Sequence, residues 1–321
     1  MGYHPRIECK QVASLQTTRS RNSELWLINN PGLEEAILGY AARYATRYEV
    51  KIYALAIEGN HIHMPALFPN ANRAGFMRDF NSSVARVIPR YQPRYPGGRF
   101  WARRFSAEYL PGDADIEDRF FYTVLQPVND GLVDDIRDYP GYNCFEDAIT
   151  GRQRLYKSIR WKEYNDARRW NRDVSPDDFA EWNPLTFERL PGYANLSQEE
   201  YEALMREKLK ERTAEVLKRR KVAQCLGVAR LREIAPGSRP KNTKISGAKD
   251  HRPRVLSRSS IRRSAGEAWY FNTYFQFREA SKRYRAGELD IVFPQGTYKP
   301  PLFTVAFGGT LLQSSKTKGV I

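Results

Sequence analysis

EVKIYALAIEGNHIHMPALF, residues 49–68, reads as two β-strands joined by a tight turn. Residues 49–57 form an apolar run of strand length. Glu58-Gly59-Asn60 supplies the turn, and HIHMPALF returns, with Pro65 hinting at an edge or a bulge. A helix comes before. Asn30 can cap it, Pro31 takes the first helical position, and Leu33, Ile37, Leu38, Ala41 and Tyr44 recur at helical spacing, giving a helix over 31–47. Further upstream, VASLQTT (12–18) is a candidate opening strand. Downstream, Met77, Phe80, Val84, Val87 and Ile88 mark a second helix that Pro89 is expected to end. A short strand is expected within FWARRFSAEYL (100–110). Asp113 or Asp115 can then cap a helix over 115–126, closed by Pro127.

The order strand, helix, strand, strand, helix, strand, helix predicts an α+β fold: a ferredoxin-like antiparallel sheet with helices on one face, over residues 1–150. A mainly helical, basic C-terminal extension follows. Residues 151–235 are read as a helical extension whose main element is 197–226, with a Ser197–Glu200 capping box and a Tyr201, Leu204, Met205, Leu209, Val216, Leu217 stripe. Residues 236–265 read as a basic flexible linker, and 266–321 as a C-terminal helical element and tail that includes FPQGTY.

The 321 residues are 41% hydrophobic and 13% aromatic, which excludes wholesale disorder. No run approaches the ~18 apolar residues of a membrane span. The opening MGYHPRIECKQV lacks an apolar signal core, so secretion by that route is not expected. Cys9, Cys144 and Cys225 lie in no metal-like spacing and fit a reducing compartment, so a cytoplasmic location is expected. The net charge of +15 is concentrated. Residues 206–263 hold 19 basic against 5 acidic groups, an excess of 14. Such a block points to a polyanion, most often nucleic acid; a solvated basic helix with a tail is the plainer reading.

Two of the four histidines are His61 and His63. Side chains alternate along a strand, so both project from one face while Ile62 and Met64 face the other. A pair so placed can grip a divalent metal, and it also fits ordinary polar histidines on a strand. His4 and His251 lie in poorly patterned segments and do not complete a larger histidine set. On a helix over 115–126, Ile116, Phe120, Val124, Phe121 and Leu125 form the apolar face. Tyr122 and Gln126 fall one turn apart on a separate, more polar one, at about 240° and 280° from Ile116. A half-exposed tyrosine and a surface glutamine would look the same.

Asn60-His61-Ile62-His63, then Phe121-Tyr122-Thr123-Val124-Leu125-Gln126-Pro127-Val128 and Gly131-Leu132-Val133, resemble the HUH single-tyrosine transposases and their REP-associated branch. That branch shows N-H-x-H on a strand and, about sixty residues on, Y-x-x-x-N-P-V-x-x-G-L-V. The resemblance spans roughly residues 10–145. One position departs, Gln126 standing where the branch has Asn; other single-tyrosine transposases use Gln there as the third metal ligand. Residues 197–227 and FPQGTYKPP also look like the C-terminal extension of longer members.

The resemblance implies a fold, a chemistry and a substrate. Tyr122 would attack a phosphodiester, leaving a 5′-phosphotyrosine and a free 3′-OH. His61, His63 and Gln126 would hold Mg²⁺ or Mn²⁺, polarising the scissile phosphate. The covalent bond conserves energy for strand transfer, and no Gly-x-x-x-x-Gly-Lys loop for ATP is present. The partner would be single-stranded or hairpin DNA, such as a REP element, bound by a monomer or homodimer and no membrane. Arg94, Arg99, Trp101, Arg103 and Arg104 interleave cations with rings as a DNA surface, with core packing the competing role for Trp101 and Phe105. Lys208, Lys210, Arg219, Arg220 and Lys221 would add sequence-independent grip. A replication initiator or relaxase shares the HUH and Tyr chemistry, and a domesticated DNA-binding protein without mobilising activity is the alternative from another class.

Overall fold

The structure, a computed structural model, describes residues 5–220, 224–240 and 254–301. It contains two compact units, Glu8–Tyr270 and Met1–Ile7 with Phe271–Ile321.

The larger unit opens with β1 (Ala13–Arg19), α1 (Pro31–Tyr48), β2 (Lys51–Ile52), β3 (Ala56–Glu58), β4 (His61–Leu67), α2 (Arg73–Tyr91) and β5 (Ser106–Leu110). The strands lie in the order β2-β4-β1-β5, all antiparallel, with β3 also on β4. This is the expected ferredoxin-like order. The Asn30 side chain accepts from Leu33 N at 2.9 Å to start α1, and Glu49 ends it at φ 53°, the left-handed region. Pro89 does not end α2, which runs two residues further to Tyr91. The expected strand over 49–57 is broken into β2 and β3 around Tyr53–Leu55.

Beyond β5 come α3 (Asp113–Val124), α4 (Gln126–Asn129) and α5 (Phe145–Thr150). Asp113 and Asp115 sit in the first turn of α3, where carboxylates suit the helix dipole. The helix over 115–126 is therefore two elements. The run breaks at Leu125 (φ −90°, ψ 4°) ahead of Pro127, which has no N–H to give.

The helices are not confined to one face. Arg73, at the start of α2, donates to Ser14 Oγ on the β1 face opposite Thr17, and α1 joins α2 through Tyr44 Oη and Ser83 Oγ at 2.8 Å. On the other face Tyr122 of α3 packs against His63. The physical reason is burial. β1 and β4 are buried at nearly every residue, so both sides of the sheet centre need a cover. The apolar stripe Ile116, Phe120, Phe121 and Val124 supplies the second cover.

The pattern-poor stretch after 150 forms β6 (Arg154–Ile159), α6 (Trp161–Trp170) and β7 (Ala180–Leu185), a two-stranded ribbon with a helix. It packs on α1 so closely that a Cβ at Gly39 would lie 2.1 Å from Lys157 O. α7 (Gln198–Arg219) keeps the Ser197–Glu200 capping box and stops before 226. Arg220 turns extended there, and Leu226 N and Gly227 N bond to Gly131 O and Leu132 O. α8 (Val228–Glu233) follows.

Residues 254–256, within the expected linker, run beside β5 in parallel. Arg254 O accepts from Tyr109 N at 2.8 Å, and Leu256 N donates to Tyr109 O at 2.9 Å. α9 (Ser260–Arg285) comes next. In the smaller unit Phe293 packs by Phe277 and Tyr284, and Thr297 N closes a turn onto Pro294 O. Among the described residues no helix is long and apolar enough to cross a membrane.

Candidate active site

The β3–β4 turn and the β1–β4 ladder fix the two histidines. His61 lies opposite Arg19 and Glu58, and His63 opposite Thr17 and Ala56. Both are 5% exposed, with ring centroids 4.7 Å apart and nearly perpendicular. The Asn60 amide donates to Ser23 O at 2.9 Å, which turns its Oδ1 to His61 Nδ1 at 2.6 Å. An amide oxygen can only accept, so His61 Nδ1 carries the proton and Nε2 keeps its lone pair. Thr17 Oγ1 stands 2.9 Å from His63 Nδ1 and can orient that ring in the same way.

α3 brings Tyr122 to this pair, its ring 5.4 Å from that of His63. Arg119, one turn earlier, holds its guanidinium 5.1 Å from the Tyr122 ring and pairs with Asp118 at 2.7 Å. Gln126 opens α4, 5% exposed, and its Oε1 accepts no hydrogen bond among the described residues. A buried carbonyl oxygen left without a donor costs about 1–3 kcal/mol. A cation there would satisfy it, and two imidazole nitrogens with one amide oxygen suit a hard to borderline divalent ion. The residues therefore fit the implied Mg²⁺ or Mn²⁺.

Sequence reasoning passed over Glu58. It is 3% exposed and shares its strand face with His61. Burial first, then the charge of Asp130, pushes its carboxyl up to about 8. Read as part of the turn, it gave no sign of lying inside the protein. Thr17 and Arg119 were missed as well. The only available signals were β1 pairing, which sequence does not show, and the i, i+3 spacing from Arg119 to Tyr122.

The cations expected to meet DNA separate into groups. Arg94, Arg99, Arg103, Arg104, Lys210 and Arg219 are exposed. Trp101 turns inward, packing on Phe100 at 4.6 Å and donating Nε1 to Asn81 O at 2.8 Å. Lys208 pairs with Glu117 at 2.9 Å. Arg220 is a clamp: its side chain is 6% exposed, donates to Val128 O and Val133 O, and pairs with Asp134. Lys221 lies outside the described residues, as do His4 and His251.

Residues 17–117 match the family described as transposase IS200 like. Over that span the chain resembles the IS200-like transposases. The match takes in His61 and His63 and stops five residues before Tyr122. A solved structure of a REP-associated tyrosine transposase bound to a REP hairpin is 17% identical, with a TM-score of 0.39, over 46% of this chain and 84% of that one. No curated protein sequence matches.

Proposed function

We infer that the protein is a transposase-type enzyme that cleaves and rejoins single-stranded or hairpin DNA, with Tyr122 as the nucleophile. The observation that carries this reading is the Tyr122 ring against His63, itself paired with His61 on one buried strand face. A nucleophile beside two oriented imidazoles is a phosphodiester-cleaving arrangement, and the match over residues 17–117 supports the class.

His61 Nε2, His63 and Gln126 Oε1 would hold Mg²⁺ or Mn²⁺, which when bound withdraws charge from the scissile phosphate. The chain's own residues do the rest. Asn60 and Thr17 hold the imidazoles with Nδ1 engaged, and Arg119 sets a fixed positive charge beside the Tyr122 ring. The Tyr122 oxygen forms the new bond to phosphorus and gives its phenolic proton to solvent, and the bond to the 3′ oxygen breaks, that oxygen taking a proton from solvent as the free 3′-OH. The result is a 5′-phosphotyrosine, from which rejoining needs no nucleotide triphosphate. Incubation with hairpin-bearing oligonucleotides and Mn²⁺ tests this. A covalent adduct is expected on gels under denaturing conditions, lost in Tyr122→Phe; an adduct that persists in that variant overturns the assignment.

A further inference from the structure

A cavity of about 590 Å³ lies beside Tyr122. α3 lines one wall with Asp115, Arg119 and Tyr122, at i, i+4 and i+7, and α7 lines another with Arg212, Glu215 and Arg219, at i, i+3 and i+7. The segment 255–258, anchored on Tyr109, closes the third side. Of these six helical residues, sequence reading gave a functional role to Tyr122 and Arg219 and saw Asp115 only as a candidate helix cap.

Size and charge together narrow what the cavity accepts. Pockets of ~300–1,000 Å³ bury one small ligand, and a duplex, whose major groove alone is about 12 Å wide, does not enter. The guanidiniums of Arg119, Arg212 and Arg219 suit a phosphate. Carboxylates do not, yet Asp115, Asp118 and Glu215 line the same space. A carboxylate only accepts, so it calls for N–H donors, which nucleobases carry on their edges. Asp115 stands out among the three, since Asp118 already pairs with Arg119, Arg212 and Arg258. Asp115 is 3% exposed, its Oδ2 accepts no hydrogen bond among the described residues, and Arg262 Nε stands 3.4 Å away in the ion pair. It precedes Tyr122 by seven residues, about 10 Å along the helix, a gap that the sugar and base of one nucleotide can bridge.

We propose that this cavity receives the single nucleotide adjoining the bond Tyr122 attacks, and that Asp115 selects a base bearing an exocyclic amino group. Cytosine, adenine and guanine offer that group; thymine offers a carbonyl oxygen in its place, which the carboxylate repels. The inference rests on Tyr122 being the nucleophile, but its test does not require cleavage.

The full chain is titrated with the four deoxynucleoside 5′-monophosphates and with deoxyribose 5-phosphate, each competing against the fluorescent 2-aminopurine nucleotide. The amino-bearing nucleotides are expected to bind about tenfold more tightly than the thymine one. Asp115→Asn, which can donate to thymine, should abolish that preference. If that variant fails to fold, Arg219→Ala, exposed on α7, serves instead: it should weaken all four nucleotides alike and leave their ranking intact. Equal binding of all four nucleotides and of deoxyribose 5-phosphate, or no binding at all, overturns the base-selecting cavity, whatever the adduct assay shows. The preference together with a wild type that forms no adduct keeps the nucleotide site and overturns its link to cleavage.

Discussion

The substitution Glu58→Gln should remove a loss of stability that the wild type suffers as pH rises. The folded carboxyl titrates at about 8 against 4.5 for the exposed group. Between those values the folded protein keeps a proton that the unfolded chain has released. The contribution to stability is therefore fully present below pH 4.5, falls as pH rises through the window, and is lost above 8. The gap corresponds to up to about 5 kcal/mol at ~1.4 kcal/mol per pH unit. A glutamine at this position never has to ionise, and Tyr139 Oη keeps its bond to Ile57 O. Urea denaturation of both proteins in EDTA, from pH 4.5 to 8.5, reads the effect. The two should be nearly equal at the acid end, with the variant pulling ahead by several kcal/mol at the alkaline end. A stability difference that stays constant across the range would refute the buried, proton-holding carboxyl.

His61→Ala and His63→Ala should each abolish adduct formation and remove the Mn²⁺-induced rise in melting temperature, and EDTA should do the same to the wild type; an adduct formed at full rate in EDTA would exclude the metal site. Gln126→Asn should lower the rate less than either histidine change, measured in the same gel assay, because both amides offer a carbonyl oxygen. Arg220→Ala should destabilise by about 2–4 kcal/mol in urea titrations, since Val128 O, Val133 O and the Asp134 carboxylate lose the donor that a nearly buried side chain brings them. Lys210→Ala and Arg219→Ala should each flatten the salt dependence of single-strand binding by roughly 0.7 in log–log slope if each meets a phosphate; an unchanged slope would remove that residue from the interface.

The sheet was legible because its signals are local. Asn30-Pro31 and Glu58-Gly59-Asn60 mark boundaries by their own backbone chemistry, and alternation put His61 and His63 on one face without any knowledge of the fold. What escaped was set by distant partners. Pro89 looked like a stop, but its missing N–H forfeits a single helical bond, and α2 runs on to Tyr91. Trp101 could be read as a stacking ring or as core, and what decides for the core, the Asn81 carbonyl that holds it, lies 20 residues away. Arg220 looked like one more cation in a basic run, and only the loop at 128–134 makes it a clamp. Glu58 shows the limit most clearly, since a carboxylate in a turn is ordinary and its burial depends on layers that no local pattern encodes.

The strand-like run beside β5 also sets a schedule. A chain emerging from the ribosome at ~5–20 residues per second presents Leu110 roughly 7–30 s before Arg258. For that interval the sheet stands with its β5 margin bare on one side, the kind of template on which neighbouring chains pair. The wall of the Tyr122 cavity is likewise missing until the same residues arrive. A nascent chain can thus assemble its histidine strand early while the chamber around Tyr122 waits for residues 255–258, more than 130 positions further on.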